Sequence, residues 1–199
     1  MDHQQILLNG QSCSVELIYQ GCVHHHFTHQ NSTDETIRLS DAKGGFLIIK
    51  TTRSKQSDQK TCHITGIHGG VWLYLENERK NKNKGQTVRL EENNLFLSLG
   101  FHFVSINLNT LHTNFVIQPD DAEIMEFYVL ENDFLLRGEL GIHRISKEGI
   151  VKWSYGGADI WVNEYEPEIQ ILKESIRLVD FQSNRYLIDF EGKKLSSSV

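Results

Sequence analysis

Short apolar runs alternate with polar, glycine-containing turns along most of the chain. Many runs are rich in aromatic and β-branched side chains, among them GGFLIIKTT, GGVWLYLE, EFYVL, IRLVDF and RYLIDF, and segments such as SKEG and FEGK separate them. In the last run, Tyr186, Ile188 and Phe190 fall on one face of a strand by its two-residue period. The pattern predicts a mainly β fold of antiparallel hairpins and meanders, in a sandwich-like or blade-like arrangement.

Two segments are helix candidates. QPDDAEIMEFYVLE, residues 118–131, offers Asp120 or Asp121 as an N-cap, and EPEIQILKESI, residues 166–176, is the second. Short apolar runs do not separate a helix from a strand by periodicity alone. We therefore expect at most one or two short helices.

An internal repeat is visible in the C-terminal part of the chain. GIHRISKEGIVK, starting at Gly141, aligns with NRYLIDFEGKKL, starting at Asn184, at an offset of 43 residues. Gly149 then coincides with Gly192, each after a glutamate, and glycine supplies the positive φ that a tight turn requires. No convincing copy is visible in the N-terminal half.

The segment HRISKEGIVKWSYGG, within this repeat, resembles the blade repeat of quinoprotein-like β-propellers. The resemblance covers roughly residues 120–199, about two units. It implies four-stranded, blade-like meanders. Closed propellers use about four to eight blades, so the chain is too short for a closed propeller of this kind. We do not infer a quinone cofactor from this resemblance.

Charge divides the chain near residue 115. Residues 1–115 contain 11 Lys/Arg and 10 Asp/Glu, a net charge of +1, whereas residues 116–199 contain 9 and 16, a net charge of −7. We expect an N-terminal β-rich region, 1–115, and a C-terminal acidic β-meander, 116–199, with two blade-like units. The boundary is soft, and a single domain is the alternative.

Composition excludes several classes of protein. No stretch approaches the ~18 apolar residues of a membrane helix, and the N-terminus MDHQQILLNGQSC lacks the features of a signal peptide. Three cysteines at unremarkable spacings favour a reduced, cytoplasmic protein. The basic segment ENERKNKNKGQ lacks interleaved aromatics and looks like an exposed hairpin tip, so we expect neither nucleic acid nor a membrane as partner.

The segment GCVHHHFTH, residues 21–29, is a candidate metal site. In a strand, Cys22, His24 and His26 share one face, and thiolate and imidazole are zinc or iron ligands. The H-x-H spacing resembles the cupin metal motif, but Glu35 lies too far along to match its glutamate well. The alternative is an exposed histidine run on a loop. Apart from zinc or iron here, no cofactor is expected.

A double glycine, Gly156-Gly157, precedes an acidic and aromatic segment. No helix follows it, so we interpret it as a turn or bulge, not as a phosphate-binding loop. The segment beyond it combines aromatic anchors with carboxylates, which is a plausible mixture for a binding hot spot. The predicted partner-binding residues are Asp159, Trp161, Glu164, Tyr165, Glu166 and Glu168.

No catalytic signature is present: GxSxG, HExxH, CxxC and Walker-type patterns are absent, and Cys62 and His63, as neighbours in a strand, would face opposite ways. The main hypothesis is a non-enzymatic binding protein, most concretely a bacterial immunity-type inhibitor that neutralises a basic partner protein through its acidic and aromatic surface.

Four alternatives stay open. One is a metal-dependent enzyme using the histidine-rich strand, and another is a small-molecule or carbohydrate-binding β-domain using exposed tryptophans. Glu164, Glu166 and Glu168, two apart, could line one face as a cation site or a general acid/base pair. The fourth is a plain solvated loop with Trp161 in the core. A homodimer formed through an exposed edge strand is also open.

Overall fold

The computed structural model describes residues 3–9, 13–20, 35–39, 45–53, 59–75 and 85–196. All regular secondary structure in these ranges is β, so the predicted fold class is confirmed. No helix that could cross a membrane occurs in them. The described residues form 17 strands, which in chain order are β1 (His3–Asn9), β2 (Cys13–Gln20), β3 (Glu35–Arg38), β4 (Gly45–Arg53), β5 (Gln59–Ile67), β6 (Val88–Glu91), β7 (Asn94–Leu99), β8 (His102–Asn107), β9 (Thr113–Ile117), β10 (Ile124–Val129), β11 (Asp133–Gly138), β12 (Gly141–Ser146), β13 (Val151–Gly156), β14 (Ile169–Ile171), β15 (Ile176–Val179), β16 (Arg185–Ile188) and β17 (Lys194–Ser196).

Both helix candidates are wrong. Residues 118–131 contain β10, whose aromatic and β-branched residues pair with β11, and Asp120 accepts a hydrogen bond from the next backbone N–H instead of capping a helix. Residues 166–176 contain β14, which pairs with β15. Pairing with a neighbouring strand decides the structure of such short apolar runs, and the sequence pattern alone does not reveal it.

The described strands form four sheets. One is five-stranded, in the order β1-β2-β4-β5-β3, and its β3 runs parallel to β5. The other three are four-stranded antiparallel meanders, β6–β9, β10–β13 and β14–β17, in which each strand pairs with the next along the chain. The repeat predicted the last two of these meanders, and the first was not visible in the sequence.

The chain divides into two compact units. The first comprises Met1–Tyr74 and Thr87–Ile117, and the second comprises Leu75–Gln86 and Gln118–Val199. The first unit contains the five-stranded sheet and the β6–β9 meander, and the second contains the other two meanders. The division into regions 1–115 and 116–199, with its soft boundary, stays a prediction.

In the first unit, alternation sets the core: Val15, Leu17 and Tyr19 on β2 are buried between half-buried neighbours. Cys62 on β5 is also fully buried. Burial, with a smaller contribution from the Glu35 carboxylate, raises the pKa of its thiol to about 12. Such a thiol is protonated at neutral pH, which agrees with the expectation that Cys62 is not a nucleophile.

In the second unit, the two meanders pack on one another through a shared core. Strands β10–β12 and β14–β16 both contribute buried side chains, and Trp161, from the segment joining the meanders, lies among them. The buried members are Tyr128, Leu135, Ile142, Trp161, Ile169, Ile176, Leu178 and Ile188. Tyr186 and Phe190 pack against this cluster, so the predicted shared face of Tyr186, Ile188 and Phe190 is confirmed.

The repeated Glu-Gly turns are built alike. In the first turn, the Gly149 N–H donates to the Ser146 carbonyl at 3.0 Å, and in the second the Gly192 N–H donates to the Asp189 carbonyl at 3.1 Å. The two glycines have φ of 84° and 76°. Each turn therefore uses the conformational freedom that the sequence pattern predicted.

The second of these turns also fastens one meander to the other. The indole N–H of Trp153, on β13, donates to the Phe190 carbonyl at 2.9 Å, and Arg144, on β12, donates to the same oxygen. A Cβ at Gly192 would lie 2.7 Å from the Trp153 ring. Gly192 is thus required both by its φ and by the indole packed on it.

We predict that Gly192→Ala destabilises the second unit by at least about 1 kcal/mol, because a left-handed backbone costs an L-residue about 1–2 kcal/mol before the ring is displaced. Gly156→Ala is the matched control, since a Cβ there meets nothing within 4 Å. It should change stability by less than about 0.5 kcal/mol. Urea unfolding followed by tryptophan fluorescence measures the stability of both variants. Equal effects would contradict the requirement for glycine at position 192.

Candidate functional site

The segment between β13 and β14, residues 157–168, contains all six predicted partner-binding residues, and we call it the acidic loop. The structure places these residues in different environments. Trp161 is completely buried, Glu164 is exposed, and the Tyr165 side chain is 87% exposed. Asp159, Glu166 and Glu168 are half-buried. The loop is therefore a surface feature with a buried anchor.

Trp161 is that anchor. Its ring lies 5.5 Å from Tyr186 and 6.3 Å from Tyr155, centroid to centroid, and its backbone N–H donates to the Glu139 carbonyl at 2.9 Å. A Cβ at Gly157 would lie 2.8 Å from the indole. The second glycine of the pair thus lets the chain pass close to Trp161 as it leaves β13.

A buried ion pair holds the backbone of the loop at Trp161. Arg137 and Glu126 are 4% and 1% exposed, and Nε of Arg137 lies 3.0 Å from Oε1 of Glu126. Arg137 also donates to the Trp161 carbonyl at 2.6 Å, and its Nη1 lies 3.7 Å from Oε1 of Glu168. A buried guanidinium needs acceptors for its N–H groups, so the hydrogen bond from Arg137 holds the Trp161 carbonyl in place.

The Glu126 carboxylate also accepts a hydrogen bond from a second side chain. The Tyr128 hydroxyl donates to Oε1 of Glu126 at 2.6 Å. Burial, together with the neighbouring carboxylate, raises the pKa of this hydroxyl far above its usual value. Tyr128 therefore stays a neutral hydrogen-bond donor at every physiological pH.

Asn163 shapes the exposed part of the loop. Its Oδ1 accepts hydrogen bonds from the backbone N–H groups of Tyr165 and Glu166, both at 2.9 Å. Its Nδ2 donates to the Asp180 carbonyl at 2.7 Å, and its own N–H donates to Glu168 at 3.2 Å. An asparagine side chain that accepts a hydrogen bond from the backbone N–H two residues later stabilises a turn. Here that turn directs Tyr165 outward.

Glu166 is held by two arginines. Arg185 donates to Oε1 at 2.6 Å, and Arg177 donates to Oε2. These hydrogen bonds, that of Arg185 first, lower the pKa of the Glu166 carboxyl below its usual value. Because the pairs are solvated, their energetic contribution is small, and they chiefly fix the orientation of the loop.

The three alternating glutamates do not share a site. Glu166 faces its two arginines, Glu168 faces Asn163 and Arg137, and Glu164 is exposed. Within the described ranges, no group of three or more metal-ligating side chains is placed to hold a cation. The loop therefore does not gather its carboxylates as the cation-site alternative requires.

A neighbouring turn adds a second exposed aromatic side chain. Phe181, at the start of the β15–β16 turn, is 56% exposed, and its N–H donates to the Ile160 carbonyl at 2.8 Å. Together with the bond from Asn163 to Asp180, this joins the turn to the acidic loop. We call Glu164 and Tyr165 of the loop, together with Phe181 of this turn, the outer surface.

Sequence reasoning missed Phe181, Asn163 and the arginines. The Asn163 turn had a local signal, an asparagine before the exposed pair Glu164-Tyr165. The arginines had none, because Arg137 lies 24 residues from Trp161 along the chain. The contacts that these arginines make with the loop depend on how the strands pair, which the sequence pattern does not show.

Other candidate sites lie elsewhere. Cys22, His24 and His26 lie outside the described residues, as does most of the basic segment at 76–84, so the zinc or iron site stays a prediction. Of the three tryptophans, Trp161 is buried, Trp153 is half-buried, and Trp72 is about half exposed at 51%.

Comparison with known proteins identifies no family. No protein family model and no curated protein matches the chain. Among solved structures, the AfRom2 CNH domain is similar at 8% identity and a TM-score of 0.38, covering 94% of this chain and 60% of that one. BamB from Moraxella catarrhalis is similar at 8% identity and a TM-score of 0.31, covering 92% and 71%. The chain thus spans 60% of the length of the CNH domain, and these scores assign neither a family nor a function.

We predict that Arg137→Met destabilises the second unit by about 3–5 kcal/mol, since it leaves the buried Glu126 carboxylate without its cation. Arg177→Met is the control, because it removes a solvated ion pair and should cost less than about 1 kcal/mol. Guanidinium unfolding of both variants measures the difference. Similar costs would show that the buried pair contributes no more to stability than the solvated one.

Proposed function

We propose that the protein is a binding protein, most concretely a bacterial immunity-type inhibitor that neutralises a basic partner protein. The observation that carries the proposal is Tyr165, whose side chain is 87% exposed on a loop fixed from beneath. Tyrosine offers a large, amphipathic contact surface with only two side-chain torsions to order. Such residues are enriched among those that dominate binding energy.

Pre-organisation of the acidic loop supports the proposal. The Trp161 carbonyl is bonded to Arg137, and the backbone at Tyr165 is bonded to Asn163. A loop already held in one conformation loses little entropy when a partner binds, so more of the contact energy appears as affinity.

Charge supports a basic partner. Residues 116–199 carry a net charge of −7, and a field of this sign speeds encounter with a basic surface. In the loop, Glu166 and Glu168 face arginines of the same unit, so Glu164 is the carboxylate we assign to direct contact. Asp159 is half-buried and adds to the negative electrostatic field of the unit. Trp161 is buried and supports the loop from inside.

The architecture and location form part of the same proposal. We assign the β10–β13 and β14–β17 meanders as propeller-type blades that display the acidic loop between them, since their turns repeat one hydrogen-bond pattern. The low and odd cysteine content supports a cytoplasmic site of action. Nucleic acid and membrane are not proposed as partners.

The test begins with capture of the tagged protein from its own cells and purification of the basic protein that binds it. Titration calorimetry with that protein should then show that Tyr165→Ala and Glu164→Lys each raise Kd by about tenfold or more, as expected for hot-spot residues. Both side chains are exposed, so melting temperatures should stay unchanged.

Glu174→Lys is the matched control, because it makes the same charge change at an exposed position on the β14–β15 turn. It should leave Kd within about twofold, as for a charge outside the contact. An equal loss with Glu174→Lys would mean that only overall charge matters. An unchanged Kd for Tyr165→Ala would refute the outer surface as the contact site for the partner.

A further inference from the structure

A second cluster in the same unit joins a serine, a histidine and an aspartate. Nδ1 of His143, on β12, lies 2.8 Å from Oγ of Ser154, on β13. Nε2 of His143 lies 3.3 Å from Oδ2 of Asp120, in the segment before β10. The residues are 11 and 23 positions apart in the chain, so no short sequence motif reveals them.

Strand register and two glycines bring the three side chains together. His143 and Ser154 are directly opposite in the β12–β13 ladder, so their side chains share one face of the sheet. A Cβ at Gly138 would lie 2.5 Å from Oδ2 of Asp120, and one at Gly141 would lie 2.6 Å from Nε2 of His143. Glycine at both positions leaves room for the carboxylate and the imidazole.

The hydrogen bonds define the chemistry of the imidazole. Asp120 at Nε2 favours the tautomer that carries its proton there, which leaves the Nδ1 lone pair facing the Ser154 hydroxyl. Burial lowers the pKa of His143, with Asp120 opposing the shift, so the ring is neutral at neutral pH. His143 is 4% exposed, whereas Ser154 is exposed.

We propose that Ser154 is the nucleophile of an acyl-transfer site for carboxylic esters, with His143 as its general base and Asp120 as the positioning residue. This goes beyond binding of a partner and does not depend on it. The arrangement has the roles of a serine hydrolase triad, with the two ring nitrogens exchanged.

The step balances without a further reagent. Oγ of Ser154 bonds to the acyl carbon of the ester while the hydroxyl proton moves to Nδ1 of His143. The bond from the acyl carbon to the alcohol oxygen breaks, and the leaving alkoxide takes the proton from His143. Water, deprotonated by the same nitrogen, then hydrolyses the acyl-serine and restores the hydroxyl.

Strand β13 offers candidate donors for the developing oxyanion. It is an edge strand in the four-stranded sheet formed by the described residues. Alternate backbone N–H groups of an edge strand point away from the sheet and have no ladder partner. Such N–H groups beside Ser154 can stabilise negative charge on a substrate carbonyl oxygen.

A fluorophosphonate probe tests the proposal, because an activated serine displaces its fluoride and gains a phosphonyl group measurable by mass spectrometry. The expected result is one label per folded protein, located at Ser154 by peptide mapping. Ser154→Ala should abolish the label, while Ser175→Ala, on the β14–β15 turn, should leave it unchanged. A folded wild-type protein that stays unlabelled, or that is labelled at another serine, overturns the proposal.

Two further variants separate catalysis from structure. His143→Gln should slow labelling at least about 100-fold, the usual contribution of a general base. Asp120→Asn should slow it likewise, because an amide donating to Nε2 moves the ring proton to Nδ1, and ¹⁵N chemical shifts of the ring should report that change. Labelling at the wild-type rate in folded Asp120→Asn protein would refute the positioning role.

Discussion

The acidic loop depends on one buried cation, Arg137. A guanidinium in the core is tolerated only when it has hydrogen-bond acceptors, and Glu126 and the Trp161 carbonyl both accept from Arg137. The requirement fixes Trp161 against the core shared by the two meanders. Two residues further along, Asn163 accepts hydrogen bonds from the backbone N–H groups of Tyr165 and Glu166, and the turn it forms leaves Tyr165 exposed. A buried ion pair inside the unit thus supports a loop that presents an aromatic side chain at the surface.

Residues that support the two proposed sites lie on opposite faces of strand β13. Successive residues of a strand point to opposite sides, so Tyr155, which packs against Trp161, and Ser154, which bonds to His143, face different ways on β13. Neither site needs the side chains of the other.

Sequence reasoning succeeded where the signal is local. The alternation of Tyr186, Ile188 and Phe190 and the glycines of the Glu-Gly turns predicted strands and turns that the structure contains. The β6–β9 meander went unseen because Glu92 and Leu111 take positive φ in its turns, at 52° and 60°, where glycine would be expected. Long-range pairs, such as Arg137 with Trp161, give no local signal at all.

Amide hydrogen exchange of the unmodified protein, resolved by residue over 157–168, tests most directly whether the acidic loop is pre-organised. The N–H groups of Trp161, Asn163, Tyr165 and Glu166 all have acceptors within the unit. If the loop is pre-organised, these four N–H groups exchange much more slowly than in an unstructured peptide of the same sequence. Exchange at the unstructured rate at Tyr165 and Glu166 would contradict it, because the exposed tyrosine would then not be held in place before a partner arrives.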